Sequence, residues 1–128
     1  MQYIGKLDKN KLGKFKPKLI TDEVILTDQI LYEHILVKHL KEFLQLKSYL
    51  KSIIENPDLI IEDNRNENTI ILLKRILEIN KNGRIIVKIA VAKDEAHPKN
   101  SIITLMRLND RTWNQTIKNK GDIIYKNC

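Results

Sequence analysis

Two of the three histidines, His34 and His39, stand five residues apart in the stretch YEHILVKHL, residues 32–40. Imidazole has an intrinsic pKa near neutrality, so a histidine facing a cleft can take up and release protons at working pH. It is also a common metal ligand. A regular helix turns ~100° per residue, which would set these rings about 140° apart around its axis. Zinc-binding helices instead space two histidines four apart around the glutamate of H-E-x-x-H. Here Glu33 precedes the first histidine, and no carboxylate cluster elsewhere offers an oxygen cage. Neither a metal nor another cofactor is expected. Two readings stay open. The histidines are hydrogen-bonded boundary residues on a helix made nearly apolar all round by Ile30, Leu31, Ile35, Leu36, Val37 and Leu40, or one or both face a cleft and move protons. His97, in the turn EAHPKN, reads as a solvated loop residue.

Other polar side chains interrupt apolar runs. In RIIVKIAVA, Ile85, Val87, Ile89 and Val91 share one strand face, while Ile86, Lys88 and Ala90 share the other. Lys88 is either solvated or presents its ammonium to an anion in a cleft. Thr104, between Ile103 and Leu105, is either a plain strand former or a hydroxyl that binds a phosphate oxygen. Tyr125 is a rim aromatic or a stacking platform for a base. Together these residue types suit metal-free cleavage of RNA. In that chemistry a base removes the 2′-OH proton, the oxygen attacks the adjacent phosphorus, an acid protonates the leaving 5′-oxygen, and a cation steadies the phosphorane.

The elements that must position these groups can be traced along the chain. YIGKL (3–7) and EVILT (23–27) are short extended segments, and Thr27 or Asp28 caps a helix running to about residue 39. A second helix is expected over about 42–55, with Phe43, Leu44, Leu46, Leu50, Ile53 and Ile54 on its apolar face. Pro57 stops it. Next come the β-branched runs LIIE, TIILLKRIL, RIIVKIAVA and SIITLMRL, separated by turns rich in Asn, Asp, Gly and Lys. A polar segment, NDRTWNQTIKNKG, whose start NDRTWNQ reads as an exposed loop, precedes a last short strand, DIIYK (122–126). Helices first and strands after indicate an α+β fold. The expectation is one domain over 1–128, with N-terminal helices packed on a mainly antiparallel sheet of four to five strands.

A net charge of +7, from 23 Lys+Arg against 16 Asp+Glu, favours a polyanionic partner, nucleic acid first. The chain is also rich in Lys, Ile and Asn, as AT-rich genomes tend to encode, and such a lysine bias can lift the isoelectric point without any functional reason. No apolar run approaches the ~18 residues of a membrane span, and the basic N-terminus lacks the apolar core of a signal peptide. The single cysteine, Cys128, excludes an internal disulfide framework and fits a reducing, cytoplasmic setting.

The chain resembles phage and bacterial members of the barnase–EndoU–colicin–RelE-like nuclease superfamily. The resemblance is carried by the order and spacing of YEHILVKHL, IIENPDLIIED, NTIILLKRI, IIVKIAV, NSIIT and IIYKN. It implies a compact α+β fold and metal-independent ribonuclease activity of the kind found in toxins that attack tRNA or other RNA, with an acidic immunity or antitoxin protein as partner. By the same resemblance His34 and His39 are acid and base, Lys88 faces the phosphorane, Ser101 or Thr104 holds the phosphate, and Tyr125 holds base or ribose. Arg107 and Arg111 are candidate phosphate contacts, Arg111 favoured for its place in the exposed loop. Both histidines fall in one helical segment here, unlike the EndoU branch. One or both therefore act, and His34 is favoured because it shares a side with Lys38. The alternatives are a non-catalytic RNA- or DNA-binding module with structural histidines, and a regulatory protein that binds an acidic partner. With aromatics at only 5% of the chain, base stacking has little to build on.

Overall fold

A computed structural model describes residues 1–91 and 99–127. His97 and Cys128 lie outside the described residues. Seven strands form one sheet: β1 (Gln2–Lys6), β2 (Glu23–Leu26), β3 (Leu59–Glu62), β4 (Thr69–Ile76), β5 (Lys81–Lys88), β6 (Asn100–Leu108) and β7 (Ile123–Lys126), in the spatial order β1-β2-β6-β5-β4-β3-β7. All pairs are antiparallel except β2 with β6, which run parallel. The fold is α+β and mainly antiparallel, as expected. The sheet is larger than expected, because the β1–β2 hairpin extends one edge and β7 the other.

Before the sheet's centre come α1 (Asp28–Ile30), a π turn (Leu31–Ile35), α2 (Leu36–Lys38), α3 (Leu40–Leu46), a 3-10 turn (Lys47–Tyr49) and α4 (Leu50–Glu55). Thr27 caps the first of these, its hydroxyl accepting from the Ile30 N–H at 3.3 Å. Leu31, Ile35, Leu46, Leu50, Ile53 and Ile54 pack onto Ile70, Leu72, Ile85, Val87, Ile102 and Leu105 of the sheet. Each such side chain, once fully buried, contributes roughly 1.5–3 kcal/mol. Val37 and Leu40 stay largely exposed, so the helical segment that is apolar all round buries only part of its circumference.

The other sheet face carries Leu59, Ile61, Ile71, Leu73 and Leu108, with Ile86 and Met106 at its margin. It is covered by a helix where the sequence suggested a loop. This helix, α5 (Asp110–Asn119), is capped by Asn109, whose side chain accepts from the Thr112 N–H at 2.8 Å. Trp113, Thr116 and Ile117 form its inward stripe at three- and four-residue spacing. Arg75 lies over the Trp113 ring at 4.4 Å and donates to Asp110, and the Asn82 amide donates to the same carboxylate. These contacts tie the start of α5 to the β4–β5 hairpin. That hairpin turns at Leu77–Asn80, with Asn80 left-handed at φ 51°. Lys81, Asn82 and Gly83 are therefore strand residues and not part of the turn.

β6 is held at its start by Asn100, a fully buried amide. Its oxygen accepts from the Ala90 N–H at 2.8 Å, and its nitrogen donates to the carbonyls of Thr21 and Glu23 at 2.8 and 2.9 Å. One side chain thus joins β6, the end of β5 and the entry to β2, with every polar atom satisfied.

Candidate active site

Past Ser101, β6 loses its pairing with β2, and the helical segment runs beside it. Two local irregularities then meet. On β6, Ile86 pairs with Thr104 while Val87 pairs with Ile102, so Ile103 is an extra, bulged residue. In the helical segment, the Leu36 N–H bonds the Leu31 carbonyl, the longer ring of a π turn. At the bulge the Thr104 hydroxyl reaches the His34 ring, with Oγ1 3.0 Å from Nε2.

His39 falls at a break. Its φ of −135° and ψ of 33° leave the helical region, although its N–H still bonds the Ile35 carbonyl and its carbonyl accepts from the Phe43 N–H. The two imidazoles are not on opposing sides. Their centroids are 5.6 Å apart, edge to face, at 69°. The 140° separation holds only for a regular helix. A π turn spends an extra residue per loop, and the break at His39 redirects the chain. The Glu42 carboxylate holds His39 Nδ1 at 2.9 Å, which leaves Nε2 for other partners. Both rings and Glu42 are half-buried.

Strand alternation places further groups. Val87, Ile102 and Leu105 belong to the core under the N-terminal helices. Lys88, Ser101 and Thr104, their immediate neighbours, turn to the opposite face, which carries Ile86 and Met106. Lys88 pairs directly with Ser101, and Thr104 with Ile86. Diagonal neighbours on a sheet are ~7–8 Å apart, so the exposed Lys88 ammonium has Thr104 within the reach of its stem. Arg84, one alternation further along β5, shares this face and donates to Met106 Sδ.

His34, His39 and Thr104 are therefore brought together, with Lys88 and Ser101 on adjoining rungs of the same face. The remaining candidates lie elsewhere. Tyr125 is on β7, four strand spacings from β6, or ~19 Å across the sheet. It packs with the helix-side core, and Lys11 lies over its ring at 4.9 Å. Arg107 turns to the helix side, where its guanidinium donates to Gln45 Oε1. Arg111 is an exposed residue of α5, not of a loop. Glu42 and Arg84 were not singled out from sequence. The signals were present: Glu42 stands one helical turn after His39, and Arg84 continues the alternation of Ile86 and Lys88.

Electrostatically the face is basic, and hydroxyls and imidazoles line its edge. Among the described residues, no three His, Cys, Asp or Glu side chains gather so as to hold a metal ion, and no helix is long and apolar enough to cross a membrane. The arrangement can exchange protons at two adjacent rings, donate hydroxyl hydrogen bonds, and set a cation beside them.

A family model described as phage-Barnase-EndoU-ColicinE5/D-RelE like nuclease3 matches residues 3–115, a span from β1 into α5. No curated protein and no solved structure gives a significant match to the chain.

Proposed function

The chain belongs to the phage-Barnase-EndoU-ColicinE5/D-RelE like nuclease3 family, and we propose that it is a ribonuclease working without a metal. The observation that carries this reading is the meeting of His34, His39 and Thr104 at the edge of the face that bears Lys88. Rings 5.6 Å apart can serve two oxygens of one phosphodiester. One histidine removes the 2′-OH proton, the O–P bond forms, and the other histidine protonates the departing 5′-oxygen as its bond to phosphorus breaks. Glu42 orients His39 and balances positive charge on its ring, in the manner of the third member of a catalytic triad. The Thr104 and Ser101 hydroxyls hold the phosphate oxygens, and Lys88 steadies the charge that builds on them.

RNA, tRNA included, is the substrate class, consistent with the net charge of +7. An acidic immunity or antitoxin protein is the partner that would restrain such an activity in a cell. The test is an RNA oligonucleotide with 2′-deoxy sugars at the cleaved positions. The all-ribose strand is cut and the deoxy-substituted strand stays intact if the 2′-oxygen is the nucleophile. Equal cutting of both would reject the mechanism.

A second reading draws on the same contacts. Each histidine already has a hydrogen-bond partner, as a structural histidine would. On that reading the basic face binds nucleic acid without cutting it.

A further inference from the structure

We propose that Arg84 anchors a backbone phosphate of the bound nucleic acid, next to the phosphate held at Thr104. The inference rests on the nuclease reading of this face. Arg84 pairs with Leu73 on one side and Met106 on the other. Both belong to the cluster opposite the N-terminal helices, so Arg84, Ile86 and Lys88 line one face.

A guanidinium carries five N–H donors in a planar fork suited to carboxylate or phosphate oxygens. Here it donates to a thioether, a weak acceptor, and its Nε is buried with no partner. Among the described residues no carboxylate lies within ion-pair distance of it. Asp63 acts on it only from further off. The two oxygens of that carboxylate accept instead from the Arg65 N–H and the Asn66 amide. Burial pushes the Arg84 pKa down, more than the Asp63 charge holds it up. A desolvated cation without an anion destabilises the fold that contains it. An apolar residue such as Ile86 would satisfy this position in the sheet, so the cation has another use.

Its place supplies one. Thr104 stands opposite Ile86, midway between the rungs of Arg84 and Lys88. Residues two apart on a strand are separated by ~7 Å. The two cations therefore bracket the hydroxyl that touches His34. A nucleic-acid strand laid across Thr104 presents one phosphate to His34, Thr104 and Lys88 and its neighbour to Arg84, whose Nη1 donors, unlike the buried Nε, remain open to it.

The test is binding of a short single-stranded RNA bearing 2′-O-methyl groups throughout, followed by fluorescence anisotropy over a series of salt concentrations. Arg84→Met keeps the length and removes the charge. It should weaken binding about ten-fold and reduce the salt slope by about one phosphate contact. It should also raise the midpoint of thermal unfolding, because a half-buried charge without an ion-pair partner is gone. Should the methionine variant not fold, Arg84→Gln serves the same comparison. Binding within about two-fold of wild type with an unchanged salt slope would overturn the proposal, as would a wild-type protein that does not bind the strand. The methylated strand has no 2′-OH and cannot be cut by the proposed chemistry. Failure to cleave ordinary RNA would therefore remove the ribonuclease reading alone, and unchanged binding would remove the anchor alone.

Discussion

His34 Nε2 lies 3.0 Å from Thr104 Oγ1, across 70 residues of sequence. The contact joins a π turn to a β-bulge. Bulges commonly re-aim side chains next to active sites, and π turns recur at functional sites. Removing the Thr104 hydroxyl in Thr104→Val keeps side-chain shape and leaves the ring without this partner. Stability should fall by about 1 kcal/mol. RNA cleavage should fall roughly a hundred-fold or more, as for loss of one donor to developing charge. Denaturant unfolding and initial cleavage rates check the two halves separately.

Glu42 holds His39 Nδ1, and in the proposed mechanism it acts through that ring as a positioning residue. Glu42→Gln keeps a hydrogen-bond acceptor and removes the charge that balances a protonated ring. The loss should be about 1.5–3 kcal/mol of transition-state stabilisation, roughly ten- to hundred-fold in rate. It should appear mainly in kcat, and the ring nitrogen NMR shifts of His39 should change while those of His34 hold. An unchanged kcat with unchanged His39 shifts would make Glu42 a surface residue only.

Asn100→Ala strips three hydrogen bonds from one buried position. It leaves the Ala90 N–H and two carbonyls to find other partners, at about 1–3 kcal/mol for each group left buried and unsatisfied. The unfolding midpoint in urea should drop accordingly. Hydrogen exchange should rise first at the start of β6 and in β2, ahead of the β3–β4 pair.

At acid pH the start of α5 should loosen. The Asn82 amide, and then the Arg75 guanidinium, hold the Asp110 carboxyl below its usual range. A group whose pKa is lowered by folding adds stability above its unfolded value and loses it as pH falls through the folded one. Stability should therefore decline below the ordinary carboxylate range, and Asp110→Asn should flatten part of that decline. Trp113 fluorescence reports it directly, since Arg75 lies over that ring.

What could be read in the sequence follows the range of the signal. Local periodicity exposes the N-terminal helices, most of the strand segments and a cap at Thr27 or Asp28, because those depend on neighbouring residues. The pairing order and the full seven-stranded extent of the sheet do not follow from it. The parallel join of β2 with β6 and the docking of β7 on β3 depend on contacts distant in sequence. That is why Tyr125, placed at the site by family resemblance, lies at the far edge. The start of α5 reads as a loop in sequence because its outward residues are polar, although Asn109 and the Trp113–Thr116–Ile117 stripe mark a capped amphipathic helix. The histidine geometry departs from expectation for a different reason. Regular α-helical spacing does not hold through Leu31–Ile35, where the chain takes a π turn. Lys88 and Thr104 were legible as polar interruptions of apolar strands, but their shared face depends on the bulge at Ile103.

The most direct test of the account is cleavage of total tRNA and a mixed-sequence RNA by the purified protein in excess EDTA, beside His34→Ala and His39→Ala. The account predicts that wild type cuts RNA under these conditions and that each substitution slows cutting by at least about a hundred-fold, with folding intact. Wild-type protein that leaves every RNA whole, or variants that cut as well as wild type, would contradict it.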